Sequence, residues 1–336
     1  MFEPTAPAIT LCFYPAPVHW NAGIAQLSSM LKSWGINVHL AMLDWFKPEE
    51  FTPTTDMVGF SAVCEGDYIL SLPYIRRAKA LGKTTILGGT WAGLNRPVDR
   101  SVDLVCRGDG ESLPQFILGG DQGLFESSMV VPDLNSLPLQ DYEVFSGVEF
   151  DRALGPMAGK KLLPYVSSRG CNAGCRFCQA RLQPPRRVRT RVEEDLTEVL
   201  STYRPDAIYF ADATMPYDDE GWRESWGELR VPFCGYIRAD IEPDTLLWLI
   251  DRGLTLCAFG VESGDEEYRN TVLGKRLTDD QIITTTSILN RNGVPYITFY
   301  MTGTPGESWL GLTRTLKATK RFGGILMVWQ YQDLTS

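Results

Sequence analysis

The sequence predicts an α/β protein in two parts: a Rossmann-like open parallel sheet over residues 1–128 and a partial (β/α)6 barrel over residues 161–336, joined by a linker over 129–160. Three observations predict it. Apolar strand-like runs alternate with runs of helical period on both sides of a single interruption. That interruption, Pro132-Asp133-Leu134-Asn135-Ser136-Leu137-Pro138-Leu139, carries turn residues and little periodicity. The chain of 336 residues, 44% of them hydrophobic, is also long enough to give two domains a core each.

In the first part, residues 8–14 read as a strand and 21–34 as a helix, with Ile24, Leu27, Met30 and Leu31 at helical spacing and Gly35 as its stop. Strands over 37–43 and 57–62, a helix over 69–81, strands over 84–87 and 104–106, and a helix after Gly110 continue the alternation. Such sheets bind ligands beyond the carboxyl ends of their strands. Here those loops are 14–23, 61–68, 88–93 and 107–111. None places G-x-G-x-x-G between a first strand and its helix, so a nicotinamide site is not expected. In the second part the strands are expected over 162–167, 207–211, 231–237, 256–261, 296–301 and 325–330. Thr190-Arg191-Val192-Glu193 matches a capping box ahead of the first intervening helix.

A net charge of −9 argues against broad nucleic-acid binding, which needs a basic face. The run Arg181, Arg186, Arg187, Arg189, Arg191 is the exception. It could meet a phosphate, but Glu193, Glu194 and Asp195 follow at once, which favours local ion pairs. No run approaches 18 apolar residues and residues 1–4 lack a signal-peptide pattern, so a soluble cytoplasmic protein without a membrane span is expected. Cys12, Cys64, Cys106, Cys234 and Cys257 lie scattered in apolar runs, as reduced thiols do.

The other three cysteines are different. Ser167-Ser-Arg-Gly-Cys-Asn-Ala-Gly-Cys-Arg-Phe-Cys178 sets Cys171, Cys175 and Cys178 in C-x3-C-x2-C, in a loop with Gly170 and Gly174 just after an apolar strand. A structural zinc site wants four closed ligands, often as two C-x2-C knuckles, and the fourth is missing. A four-iron cluster also takes four cysteines as a rule, so three point to a cluster with one iron left open. Zinc would instead give one zinc and no iron.

On these residues the chain resembles the radical S-adenosylmethionine (SAM) enzymes. The resemblance implies that Cys171, Cys175 and Cys178 ligate a [4Fe–4S] cluster whose fourth iron is chelated by SAM, with Phe177 part of the motif. It also implies cleavage of SAM to methionine and a 5′-deoxyadenosyl radical, driven by an electron donor such as flavodoxin or ferredoxin. Charged residues recur just past the strands: Asp212, Arg238 with Asp240, Glu262-Ser263-Gly264, and Gly303-Thr304-Pro305-Gly306-Glu307. By the resemblance Glu262 and Ser263 lie against the ribose or methionine part of SAM, Arg238 is suited to its carboxylate, Gly303 and Glu307 back its adenine, and Asp212 completes the set.

The first part resembles the cobalamin-binding domain that precedes the barrel in one class of these enzymes. The matching stretches are the helix around Gly23, Val58-Gly59-Phe60-Ser61, Leu87-Gly88-Gly89-Thr90 and Arg107-Gly108-Asp109-Gly110-Glu111. The resemblance places Ser61, Cys64, Gly88, Gly89, Thr90, Gly108, Gly110 and Glu111 against cobalamin, glycines letting backbone amides approach it. The histidine of Asp-x-His-x-x-Gly is missing, and only His19 and His39 are present. Cobalt is therefore expected without a protein imidazole, with Cys64 and Glu65 as positional candidates for its lower side. His39 reads as structural, and His19, beside Trp20, as a possible cofactor or substrate contact.

The implied activity is methylation of an unactivated carbon by methylcobalamin and the adenosyl radical, on a peptide or small molecule rather than nucleic acid. Cyclisation, cleavage or rearrangement without methyl transfer is the first alternative; a non-catalytic corrinoid or Fe–S sensor is the second. The sequence ends at Ser336, soon after the sixth strand, so the barrel is expected to be closed by substrate, another protein or the first domain.

Overall fold

Ile9, Leu11 and Phe13 alternate with Thr10 and Cys12 along β1 (Ala8–Phe13), and both sets are buried, on opposite faces. A strand buried on both sides belongs inside a sheet with helices on each face. The computed structural model describes residues 6–14, 21–45, 47–94, 96–119, 126–127, 130–146 and 157–331. His19 lies outside them.

The chain divides into two units, Met1–Ala153 and Leu154–Ser336. In the first, β1, β2 (Asn37–Met42), β3 (Met57–Ser61), β4 (Thr84–Gly88), β5 (Leu104–Cys106) and β6 (Glu126–Ser127) form one parallel sheet in the order β2-β1-β3-β4-β5-β6. The order reverses between β1 and β3, and a crevice opens at such a switch point. Helix α1 (Ala22–Ser33) covers one face through Ile24, Ala25 and Leu31; α2 (Glu65–Ala80) covers the other through Tyr68, Tyr74, Ile75 and Ala78. Helix α2 starts four residues earlier than its apolar period suggests. The Asp67 carboxylate accepts from the Val63 and Cys64 amides at 2.9 and 3.2 Å, a cap without the usual Ser or Thr at its head. The short α3 (Leu113–Gly119) follows β5.

The expected linker is in part a wall of this unit. Val131, Leu134 and Leu137 pack with Met30, and Phe145 meets Phe13 edge-on at 5.9 Å. Asp141 accepts from Ser28 Oγ at 2.6 Å and pairs with Lys32 at 2.7 Å. Its poor periodicity comes from serving one helix side by single residues rather than by a repeating face.

In the second unit β7 (Leu162–Tyr165), β10 (Ala207–Phe210), β11 (Phe233–Tyr236), β12 (Leu254–Glu262), β13 (Tyr296–Thr302) and β14 (Ile325–Gln330) are parallel and adjacent in chain order. Each new strand joins the same side, which is the arc of a (β/α) barrel. Its helices are α4 (Val192–Tyr203), α5 (Glu220–Glu224), α6 (Pro243–Arg252), α7 (Glu266–Thr271), α8 (Asp279–Arg291) and α9 (Trp309–Phe322). Buried Phe210, Trp222, Trp226 and Phe233 interlock beneath it, with centroid separations of 5.1 to 5.8 Å.

One expected cap differs. The N-cap of α4 is Arg191, not Thr190, and makes no side-chain cap bond. The first amides of the helix go to Ser225 instead: Val192 N to its Oγ at 3.4 Å and Glu193 N to its carbonyl at 2.8 Å. Arg189 pairs locally with buried Asp195 and Arg191 with Glu194, as expected, whereas Arg186 reaches Asp218, beyond that acidic run. Among the described residues no helix is long and apolar enough to cross a membrane.

Candidate functional site

Strand β7 ends at Tyr165, and three residues on a short antiparallel pair, β8 (Ser168–Arg169) with β9 (Arg187–Val188), pinches off the loop holding the cysteines. Gly170 makes the pinch possible. Its φ is +85°, and a Cβ there would stand 2.6 Å from the Pro184 carbonyl oxygen. The loop is tied down at both ends without any metal. The Ser167 and Ser168 amides donate to Asp212 Oδ1 at 2.9 and 2.6 Å, and Ser167 Oγ donates to Oδ2 at 2.6 Å. Further on, Arg176 N donates to Leu273 O at 3.0 Å, and Arg276 donates to Ala173 O.

Cys175 is buried, while Cys171 and Cys178 are half-buried. Burial pushes the Cys178 thiol up, against a hydrogen bond from the Ala180 amide and, more weakly, the nearby Lys275 cation. Among the described residues no three histidine, cysteine or acidic side chains converge as a single ion requires. A four-iron cluster asks for something else, one cysteine on each of several irons. Three thiols on one braced loop, with Arg238 and Lys275 beside them, suit an anionic iron–thiolate cluster.

Around this loop the strand ends bring several expected residues together. Glu262, at the carboxyl end of β12, has φ +68°, and the pairing with β13 shifts register between Gly260 and Glu262. That irregularity turns the carboxylate back over Gly260, where a Cβ would stand 1.7 Å from Oε1. Glu262 Oε1 meets Lys275 Nζ at 2.8 Å with both side chains nearly buried, and Nζ lies 5.8 Å from the centre of the Phe177 ring. The turn after it is fixed by two residues that no sequence motif marks. Fully buried Arg269 donates to Ser263 O at 2.9 Å, and Thr315 Oγ1 accepts from Gly264 N at 2.9 Å.

Two expectations change. Asp212 faces the base of the cysteine loop with both oxygens engaged, so it clamps the loop rather than presenting itself to SAM. The Arg238 fork, expected for a ligand carboxylate, is filled by Asp240, with Nε at 2.9 Å and Nη2 at 2.7 Å. Gly303, φ +75°, donates to Glu307 Oε2 at 2.8 Å across the β13 turn. Lys275 has no motif to mark it, because along the sequence it lies well past the end of β12.

Lysine 275 yields a stability prediction. Lys275→Met leaves the Glu262 carboxylate buried and unpaired, and about 3–5 kcal/mol is expected to be lost in urea unfolding. Adding Glu262→Gln should recover most of that loss.

At the carboxyl ends of the first sheet, Ser61 Oγ accepts from Asn21 Nδ2 at 3.1 Å, joining the β1 and β3 loops. Gly89, φ +92°, lies against Ala62, where a Cβ would be 2.3 Å from the carbonyl oxygen. The Thr90 position leads into Trp91, stacked on Tyr68 at 3.9 Å. Gly110 packs on Leu27, whereas Cys64 heads α2 and Glu111 is buried within the unit. Gly88 and Gly108 flank Cys106, the first near its Cβ and the second through its carbonyl oxygen, 3.9 Å from the sulfur.

Residues 165–318 match the model of the radical SAM superfamily. Similar solved structures include the cobalamin-dependent SAM radical enzyme OxsB with aqua-cobalamin and SAM bound, at TM-score 0.70 and 19% identity, covering 98% of this chain and 54% of that one. Another is the radical SAM methyltransferase TsrM from Kitasatospora setae with cobalamin and a [4Fe–4S] cluster, at TM-score 0.69 and 12% identity, covering 97% and 72%. TsrM with tryptophan and a SAM analogue gives TM-score 0.71 at 13% identity, covering 96% and 73%. The chain thus spans about half the length of OxsB. No curated protein matches it. The α/β architecture of both units is similar to that of these cobalamin-dependent radical SAM enzymes, and residues 165–318 match the radical SAM superfamily.

Proposed function

We propose that this protein is a cobalamin-dependent radical SAM methyltransferase acting on an unactivated carbon of a small molecule or peptide. The observation that carries the proposal is the pairing of a braced C-x3-C-x2-C loop with an N-terminal doubly wound sheet, a likeness to OxsB and TsrM that extends over almost the whole chain. When bound, the cluster and SAM supply a 5′-deoxyadenosyl radical, and cobalamin supplies a transferable methyl group. Cys171, Cys175 and Cys178 would hold the cluster. Glu262 and Ser263, on a turn that Arg269 and Thr315 keep rigid, would orient SAM. Gly303 and Glu307 would back the nucleoside. In the first unit Ser61, Gly88, Gly89, Thr90, Gly108 and Gly110 would line the cobalamin site, with Cys64 beside it. Buried Glu111 would act from beneath, through the backbone of its turn.

The stoichiometry follows from the chemistry. Each methylation consumes two SAM, giving one methionine with one 5′-deoxyadenosine, and one S-adenosylhomocysteine. The test is anaerobic reconstitution with iron, sulfide and hydroxocobalamin, then incubation of a substrate panel with methyl-labelled SAM and reduced flavodoxin. Corrin absorbance on the purified protein and labelled product with equal amounts of the two nucleosides are expected. Formation of 5′-deoxyadenosine on a consumed substrate without label transfer would overturn methylation and leave cyclisation, cleavage or rearrangement. Absence of 5′-deoxyadenosine across the panel would favour a sensor.

A further inference from the structure

Arg238 follows β11 and has almost no freedom. Nε and Nη2 grip Asp240, Nη2 also donates to Lys275 O at 2.9 Å, and the Arg238 amide donates to Tyr217 Oη at 3.1 Å. The remaining nitrogen, Nη1, donates to the sulfur of Cys175 at 3.7 Å. Both partners are largely withdrawn from water: Cys175 is 7% exposed and the Arg238 side chain 16%. Such a mount looks costly for a residue with no ligand to bind, since the fork that would take a carboxylate is already full. Its free end points at a thiol expected to carry iron.

We propose that Arg238 is a positioning residue that raises the reduction potential of the cluster, by fixing an N–H donor and a permanent cation on the Cys175 sulfur, and that Asp240 partly offsets it. The proposal rests on the cluster assignment made above. Reduction adds one electron, delivered by a one-electron donor of the flavodoxin or ferredoxin class, and one negative charge to the cluster and its thiolates. No bond to Arg238 forms or breaks, and no proton moves, because a guanidinium stays protonated. A donor aimed at the sulfur and a nearby positive charge stabilise the reduced form more than the oxidised one. Asp240, on the opposite side of the same guanidinium, works against that cation from a greater distance, so its effect is smaller and opposite in sign.

The sign reversal makes the idea testable. Arg238→Gln removes the cation and leaves Asp240 uncompensated; Asp240→Asn keeps an oxygen for the Arg238 fork but removes the opposing anion. Wild type and both variants are reconstituted anaerobically, checked for iron and sulfide, and titrated by EPR of the reduced cluster without SAM. For Arg238→Gln the reduction equilibrium constant should fall about tenfold, a negative shift of about 59 mV for a one-electron couple. For Asp240→Asn it should rise severalfold. A purely structural role would lower cluster content in both variants and move neither potential. Equal potentials in all three loaded proteins, or shifts of the same sign, would overturn the proposal. An unchanged potential with a large rise in the SAM dissociation constant of Arg238→Gln would do so too, in favour of a carboxylate grip. Failure of the wild type to take up iron and sulfide would instead strike the cluster assignment itself.

Discussion

Cys175→Ala is expected to retain less than a tenth of the iron and sulfide of the reconstituted wild type and to cleave SAM at least about 10³-fold more slowly, since the cofactor carries the chemistry. The protein should nevertheless fold. The loop around Cys175 is held by Asp212 at its base, by Arg176 N on Leu273 O and by Arg276 on Ala173 O, none of which needs a metal. Far-UV circular dichroism and the apo melting temperature should therefore match wild type within a few degrees, while the extra stability that the cluster confers on the wild type disappears. Cys171→Ala and Cys178→Ala should behave alike. Cys234→Ala is the control. Its thiol sits inside the β11 sheet, where burial pushes it up to about 12, and it should bind iron and cleave SAM as wild type does. Retention of a full cluster by any one of the three motif variants would refute the ligand assignment.

The strands of both sheets could be read from the sequence because their burial is simple. Parallel strands packed inside a sheet give largely apolar runs such as Ile9–Phe13 and Leu254–Phe259, interrupted only by Thr10 and Thr255, and their ends fall within two residues of where the sequence places them. The two-residue pairings were not readable. β6 and the β8–β9 pair are too short to show any period, although β8–β9 shapes the cysteine loop. At the site, the cysteines were legible from spacing alone because three thiols in one loop have few other uses. Their supports were not. Arg269, Lys275 and Thr315 act from α7, the loop after it and α9, and sequence position says nothing about which strand end such residues reach. Arg238 and Asp212 are polar residues just past apolar strands, the pattern that marks a barrel mouth, but their partners lie in the protein. Position could reveal a polar group at the barrel mouth, but only the neighbouring donors and acceptors decide whether it faces a ligand or holds a loop.

Asp212 shows how much the second role can matter. Asp212→Ala leaves the buried Ser167 and Ser168 amides without an acceptor, and at about 1–3 kcal/mol for each orphaned donor the apo protein should lose about 2–6 kcal/mol. Cluster loading should fall with it, because the loop is released at the end where Gly170 starts the pinch. Asp212→Asn should be far milder. Both amides already share Oδ1, and the amide nitrogen replacing Oδ2 can donate to Ser167 Oγ once that hydroxyl turns. The two variants separate the hydrogen bonds from the charge, and pH reads the charge. Burial pushes the Asp212 carboxyl from its ordinary value near 4 up to about 7, against the pull of its donors. Between these values the folded state binds the proton and the unfolded state releases it, so this group's contribution to stability is full below pH 4 and is lost as pH rises through 7. That difference corresponds to at most about 4 kcal/mol. The difference in unfolding free energy between Asp212→Asn and wild type, measured on apo protein in urea, should therefore move in the variant's favour from pH 4 to pH 8 and then level off. The other carboxylates titrate alike in both proteins and cancel. A difference that stays flat across this range would show that the loop clamp is an ordinary ionised carboxylate, and that its three donors outweigh its burial.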